Sequence, residues 1–321
     1  MIRRTNESGF ALILTLVVTA LMVAVVVEMI HQVYVDTSIS RSFRDGQQAS
    51  ILAESGVMAV KTAIDIKTDP ALLLAILAKP LCDEVGCLEI AVSDESGKIN
   101  INRLVVDGQK QPDGLINDAL VRLLQGLPVS PAQQGDTWSK VVASVADWLD
   151  KDEILTTNGA ETPYYRDLKP PYSAHNGKLM TLSELTLVKG ITPAMFDGLV
   201  GKNARLRDCL TIYPREQSQS QSPLFNINVN AAPKAVLMAL HASITESVAD
   251  QILQKRPFDG EGGFSKVTEL NNIYNGAWLG RLKAYKTYTL YKITAVATVK
   301  DSVRKIESVV SNGMLLSWQE Y

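Results

Sequence analysis

Five carboxylates and one amide fall within a single short run: Asp147, Asp150, Asp152, Glu153, Asn158 and Glu161. Hard cations such as calcium are held by several carboxylate and carbonyl oxygens, often from one loop, so this is the run with the clearest chemical potential. Taking Asp150 as the first position of a calcium loop puts Asp152 third and Glu161 twelfth. Ile154 and Leu155 then occupy the places that need a side-chain oxygen and a turn glycine, so the run is not an EF-hand. Two readings stay open: a looser calcium site drawn from Asp147, Asp150, Asp152, Glu153 and Glu161, with Asn158 beside them, or a solvated acidic end of a helix.

Other chemistry is sparse. The 321 residues include three cysteines and three histidines, too few for a zinc ribbon. Cys82 and Cys87 could pair as a disulfide in an oxidising compartment, which would leave Cys209 single. There is no Gly-x-Ser-x-Gly, no His-Glu-x-x-His and no phosphate loop, so the expected protein is not an enzyme. The 32 basic and 34 acidic residues nearly cancel, which argues against nucleic acid as a partner. Asn228 to Leu253 is similar to a helix-hairpin-helix, but its turn, His241-Ala242-Ser243-Ile244-Thr245, lacks the glycines that would hold phosphate. Protein packing is therefore the expected use of that hairpin; a membrane-anchored DNA-binding module is the alternative.

The elements that must carry these residues begin with Phe10 to Val27, an unbroken run of 18 apolar residues and threonines preceded by Arg3 and Arg4. Its length fits one membrane crossing, and the arginines keep the short side cytoplasmic. No proline follows until Pro70, and Val33, Ile39, Phe43, Ile51, Leu52, Met58 and Ile64 recur in an amphipathic rhythm that predicts one long helix over 10–66, with Gly46 and Gly56 as its weak points. Residues 71–78 read as a short helix. Strands are expected over Cys87–Ser93 and Lys98–Asn102, around the turn Asp94–Gly97, and in a closing hairpin from Tyr288 to Val310 that turns at Lys300–Ser302. The signals between are mostly helical. They include a stop at Gly190 followed by Thr192 and Pro193 as a helix start, and a Gln/Ser-rich linker over 215–223.

Several stretches together resemble one family. Arg3-Arg4-Thr5-Asn6-Glu7-Ser8-Gly9-Phe10 is similar to a prepilin leader, which implies cutting by a prepilin peptidase between Gly9 and Phe10 and methylation of the new terminus. Pilins usually carry glutamate at the fifth mature position, where this chain has Leu14. With Glu95–Asn102, Asp147-Trp148-Leu149-Asp150, Gly159-Ala160-Glu161, Leu185–Gly190 and Asn228–Pro233, that start resembles the K-type minor pseudopilins of the type II secretion system. The resemblance implies an α+β, type IV pilin-like fold with a long N-terminal helix, a small antiparallel sheet and a large inserted all-helical domain. The corresponding division is a leader over 1–9, a helix over 10–66, the first part of the pilin-like body over 67–105, helical subdomains over 106–222 and 223–285, and closing strands over 286–321. It further implies a single-pass inner-membrane protein with a periplasmic body. Its expected partners are the I and J minor pseudopilins and other pseudopilins, at the tip of a pseudopilus that exports folded proteins. Calcium is known in relatives of this fold, which puts the metal reading of the acidic run level with that of a solvated helix end.

Overall fold

The computed structural model describes residues 7–66, 68, 70–105, 112–128, 137–201, 204–213, 226–286 and 289–321. Helix α1 (Glu7–Asp65) runs unbroken for 59 residues, about 90 Å at the α-helical rise, and its first half stands clear of the body. Among the described residues it is one helix long and apolar enough to cross a membrane. Helix α2 (Pro70–Leu77) and strands β1 (Leu81–Cys82) and β2 (Cys87–Asp94) follow.

The chain then leaves for a second body: β3 (Ile99–Asn100), α3 (Gly114–Gln125), α4 (Trp138–Leu149), α5 (Thr162–Arg166), α6 (Pro193–Phe196), β4 (Leu199–Val200), β5 (Ala204–Arg205), α7 (Leu206–Cys209), β6 (Leu210–Thr211), β7 (Ile227–Asn228), α8 (Lys234–Leu240), α9 (Glu246–Lys255), α10 (Thr268–Asn275) and β8 (Leu282–Lys283). It returns through β9 (Leu290–Val299), β10 (Ser302–Ser311) and β11 (Met314–Glu320). The sheet β1-β2-β9-β10-β11 is antiparallel throughout, so everything from β3 to β8 is inserted between two neighbouring strands. This is the long-helix, small-sheet, helical-insertion architecture expected from the sequence.

The second half of α1 lies on the sheet because small residues recur on one side of it. Ala49, Ala53, Val57 and Val60 are buried against Tyr291, Ile293, Ala295, Ala297 and Val299 of β9 and Ile306 and Val310 of β10. Alternate β9 residues supply that face, as the period of two requires. The glycines that looked like weak points are contact points instead. A Cβ on Gly56 would lie 2.9 Å from Leu88 Cδ2 and 3.1 Å from Ile90 Cδ1. Replacing a helical glycine by alanine normally gains up to about 1 kcal/mol. Here we expect Gly56→Ala to reverse that sign and lower stability by about 1 kcal/mol, since overpacking costs about 1–3 kcal/mol; chemical denaturation of the solubilised chain measures it.

The inserted body has one apolar core, to which segments on both sides of residues 214–225 contribute, from Ile99 and Leu123 to Leu237, Phe264 and Trp278. Helices α3 and α8 pack together, and Arg122 of α3 donates from Nε to the Ala239 carbonyl at 2.8 Å and from Nη2 to that of Leu240 at 3.0 Å, closing the end of α8. Asp113 caps α3 and pairs with Arg281 at 2.7 Å. The linker expected over 215–223 lies outside the described residues. One expected strand behaves differently: Ile99–Asn100 pairs in parallel with Leu210–Thr211, not with β2. Residues 95–97 form a 3-10 turn that carries the chain out of the sheet, so Ile99, Ile101 and Leu104 join the core of the insertion. Strand β11, beyond the expected hairpin, completes the sheet.

Candidate metal centre

Helix α4 is amphipathic, burying Val141, Val142, Val145, Trp148 and Leu149, and Asp147 lies at its C-terminal end with no exposure at all. Asp150 is the residue that ends the helix. A helix C-terminus carries negative partial charge, so two carboxylates here are held where the backbone dipoles disfavour them. The chain loops out and returns through Asn158, in the left-handed region at φ 70°, and Gly159. A Cβ on Gly159 would sit 2.0 Å from Asp147 Oδ2, so the return passes directly over that carboxylate and glycine alone fits. Glu161, 4% exposed, then opens α5, with Pro163 in the first turn.

The result is a triad. One oxygen from each of Asp147, Asp150 and Glu161 lies within 4.8 Å of the others. Asp147 Oδ1 accepts the Thr156 N–H at 3.2 Å. Asp147 Oδ2, Asp150 Oδ1 and both oxygens of Glu161 are buried with no hydrogen-bond donor. Burial and mutual repulsion push Glu161 up to about 8 and Asp150, beside Asp152 and Asp147, up to about 6; burial also raises Asp147. Buried, donor-poor carboxylates facing one another are an arrangement that a hard cation completes, and no Cys or His belongs to the set to favour a softer metal. Trp148, next to Asp147 in the chain, meets Tyr165 edge-on at 5.0 Å, and Tyr165 stacks on Tyr172 at 5.3 Å.

Two of the five expected metal residues fall outside this group, each with one carboxylate oxygen engaged by other donors. Glu153 Oε1 accepts from Thr162 Oγ1 at 2.8 Å and Asn176 Nδ2 at 2.9 Å, and these donors, the threonine first, hold its carboxyl below the usual range. Asp152 Oδ1 accepts the Ile154 N–H in an exposed turn. Asn158 serves the turn through its backbone. The part played by Gly159 and the Thr156 amide was not read from the sequence; the Asn158-Gly159 dipeptide is a turn signal that could have placed it. Cys82 and Cys87 face each other across β1 and β2 and are joined as a disulfide, with Cα atoms 4.1 Å apart. Cys209 is buried, and burial pushes its thiol up to about 12. Gly9 and Phe10 lie within the first turns of α1, and Phe10 is exposed.

Comparison with known proteins covers most of the chain. Two family models, both described as type II secretion system (T2SS), protein K, match residues 97–214 and 227–285, together just over half of the chain. The type II secretion system protein K of Aeromonas hydrophila is 27% identical over 274 residues, covering 79% of this chain and 77% of that protein. The Klebsiella pneumoniae protein of the same name is 24% identical over 266 residues, covering 79% and 77%. A chain in the crystal structure of the GspK-GspI-GspJ complex from enterotoxigenic Escherichia coli shares the fold, with a TM-score of 0.66 and 18% identity, over 89% of this chain and 99% of that one. The inserted body, whose core both matched segments build, therefore carries the family signature, and the chain belongs to the type II secretion system protein K family.

Proposed function

We propose that this protein is a minor pseudopilin that assembles with the I and J minor pseudopilins at the tip of the type II secretion pseudopilus. There it starts and caps the filament that moves folded proteins across the outer membrane. The observation that carries this reading is the pairing of an exposed, apolar half of α1 with a sheet interrupted by a bulky insertion. The helix suits storage in the inner membrane and then packing among other helices, since a helix apolar all round needs lipid or neighbours. The insertion has no place inside a column of stacked subunits and suits its end. Leu14, where a filament subunit offers a carboxylate, fits the same position: a tip subunit has no neighbour above it whose terminal amine must be offset.

Gly9 and Phe10 are then the processing site, the body is periplasmic, and the prepilin peptidase acts from the cytoplasmic side. The acidic triad binds calcium there, and the cation fixes the 150–161 loop to the end of α4. Intact-mass measurement of the membrane-purified chain tests the assignment. With co-expressed prepilin peptidase the chain should begin at a methylated Phe10, and without it at Met1; a chain cut on the periplasmic side, or never cut, contradicts the proposal.

A further inference from the structure

Strand β2 pairs with β9 along all eight of its residues, but on its other side β1 covers it only at Cys87 and Leu88. Asp83 donates to the Gly86 carbonyl at 2.9 Å, and the antiparallel alternation makes Leu81 and Leu88 the next bonded pair. Ile90 and Val92 therefore turn their N–H and C=O groups to the same outer side as Leu88. No strand among the described residues meets them there. What crosses this side is the end of α2 and the turn into β1, residues 77–80, and between that turn and Glu89, Ile90 and Ala91 lies an open crevice of about 300 Å3.

The hold of this segment on the body is slight. Helix α2 is eight residues long, too short to be stable by itself, and its sequence has no polar face to set against a buried one. Leu73 is buried in the cluster beneath α1 and Leu77 packs against it, while Leu72 and Ile76 stay 55% and 53% exposed. Pro80 has no N–H to extend the ladder beyond Leu81. The covalent tie is the Cys82–Cys87 disulfide at the rim, with Cys82 exposed and Cys87 half-buried, within reach of a dissolved thiol.

We propose that α2 and β1 form a strap over a latent strand edge, and that the Cys82–Cys87 disulfide is the redox-sensitive clasp that keeps it shut. A dithiol reductant opens it. One thiolate of the reductant attacks the Cys82 sulfur, the S–S bond breaks and Cys87 leaves as a thiolate; the second thiol then displaces Cys82 from the mixed disulfide. The cysteine pair takes up two electrons and two protons, and the dithiol becomes a cyclic disulfide. Without the clasp β1 and α2 lift, and the outward groups of Ile90 and Val92 stand open to an added strand. In an oxidising compartment the reverse exchange, with a disulfide-bearing oxidant, shuts the strap. The device does not depend on the minor-pseudopilin role.

Hydrogen exchange of the full, detergent-solubilised chain, read by mass spectrometry before and after dithiothreitol, tests this. The ring closed from Cys82 to Cys87 is worth about 40-fold in loop-closure entropy, so peptides covering residues 70–82 should exchange about 40-fold faster once reduced, while those of β9 and β10 keep their protection. Iodoacetamide should then modify Cys82 and Cys87 and leave the buried Cys209 untouched. Cys82→Ser combined with Cys87→Ser should reproduce the reduced pattern, and reduction of the already folded chain keeps the test sound if that variant does not fold. Unchanged exchange over residues 70–82 after reduction would mean that Leu73 and Leu77 hold the segment without the bond. Protection lost across β9 and β10 would mean that the bond supports the whole sheet, and a disulfide that dithiothreitol leaves intact in the folded chain is no clasp. Each of these results overturns the inference.

Discussion

Calcium added to the metal-free, detergent-solubilised chain is expected to raise the melting temperature of the inserted body by roughly 5–10 °C. At a hundredfold excess over Kd, binding to the native state adds about 2.7 kcal/mol, and a body of this size gains about 2–4 °C per kcal/mol. The reason is electrostatic. Asp147, Asp150 and Glu161 converge with four oxygens buried and without donors, so the metal-free loop carries repulsion that a divalent cation converts into attraction. The pH dependence should therefore reverse with metal. Without it, the folded state holds protons on Glu161 up to about 8, against an ordinary value of 4.5, and on Asp150 up to about 6, against 3.8. Groups whose folded value is raised contribute stability in the protonated form, so metal-free stability is greatest below about pH 4 and falls as pH rises to about 8. With calcium, protons and cation compete for the same oxygens, and the gain on adding metal grows over the same interval. Glu161→Gln sharpens the test by giving opposite signs: more stable than the parent in EDTA at pH 8, less stable in saturating calcium. Terbium luminescence excited through Trp148 gives an independent readout of occupancy. A melting temperature unmoved by calcium, with no sensitised terbium emission, would sink the metal assignment.

Much of this architecture was legible in the chain, for physical reasons that differ between elements. The long helix was readable because periodicity accumulates over dozens of residues. The β9–β10 hairpin was readable because alternation is strict on a sheet with one face buried, from Tyr291 through Val299. The acidic centre was readable in composition but not in membership, since spacing alone does not say which carboxylate finds another partner. Glu153 is satisfied by Thr162 and Asn176, the latter 23 residues away in sequence, and no local rule contains that contact. The departure of Ile99–Asn100 to β6 has the same origin, a pairing partner more than a hundred residues downstream. Gly56 read as a weak point of the helix, yet it and Gly159 mark places where another group comes too close for a side chain.

Gly97 is the extreme case of that close approach, and Gly97→Ala is expected to cost about 3 kcal/mol or more, the upper end of overpacking penalties. Its Cβ would lie 2.4 Å from the Ala231 carbonyl carbon and the Ala232 nitrogen and 2.7 Å from the Ala231 oxygen. All three are backbone atoms, so no rotamer change can relieve the clash. They belong to the turn after β7, and Gly97 lies where the chain leaves the sheet, so the strain falls on the joint between the pilin-like body and the insertion. The same joint is fastened by Asn228. Its amide donates to Ser96 Oγ at 3.2 Å and to the Tyr285 carbonyl at 3.3 Å, and its Oδ1 accepts the Tyr285 N–H at 3.0 Å. One buried side chain thus ties the outgoing segment at Ser96 to the returning one at Tyr285, and Asn228→Ala should cost about 2–3 kcal/mol by leaving those groups unpaired. Because both changes loosen one contact, the double variant should lose less than the sum of the singles. Gly262→Ala is the control: nothing lies within 4 Å of its Cβ, and its effect should stay within about 0.5 kcal/mol. Scanning calorimetry distinguishes the possible consequences. If the joint couples the two bodies, Gly97→Ala splits a single transition in two and exposes residues 94–97 to protease. If the transition stays single and unshifted, the turn after β7 moves aside at little cost, and the sheet does not set the orientation of the insertion.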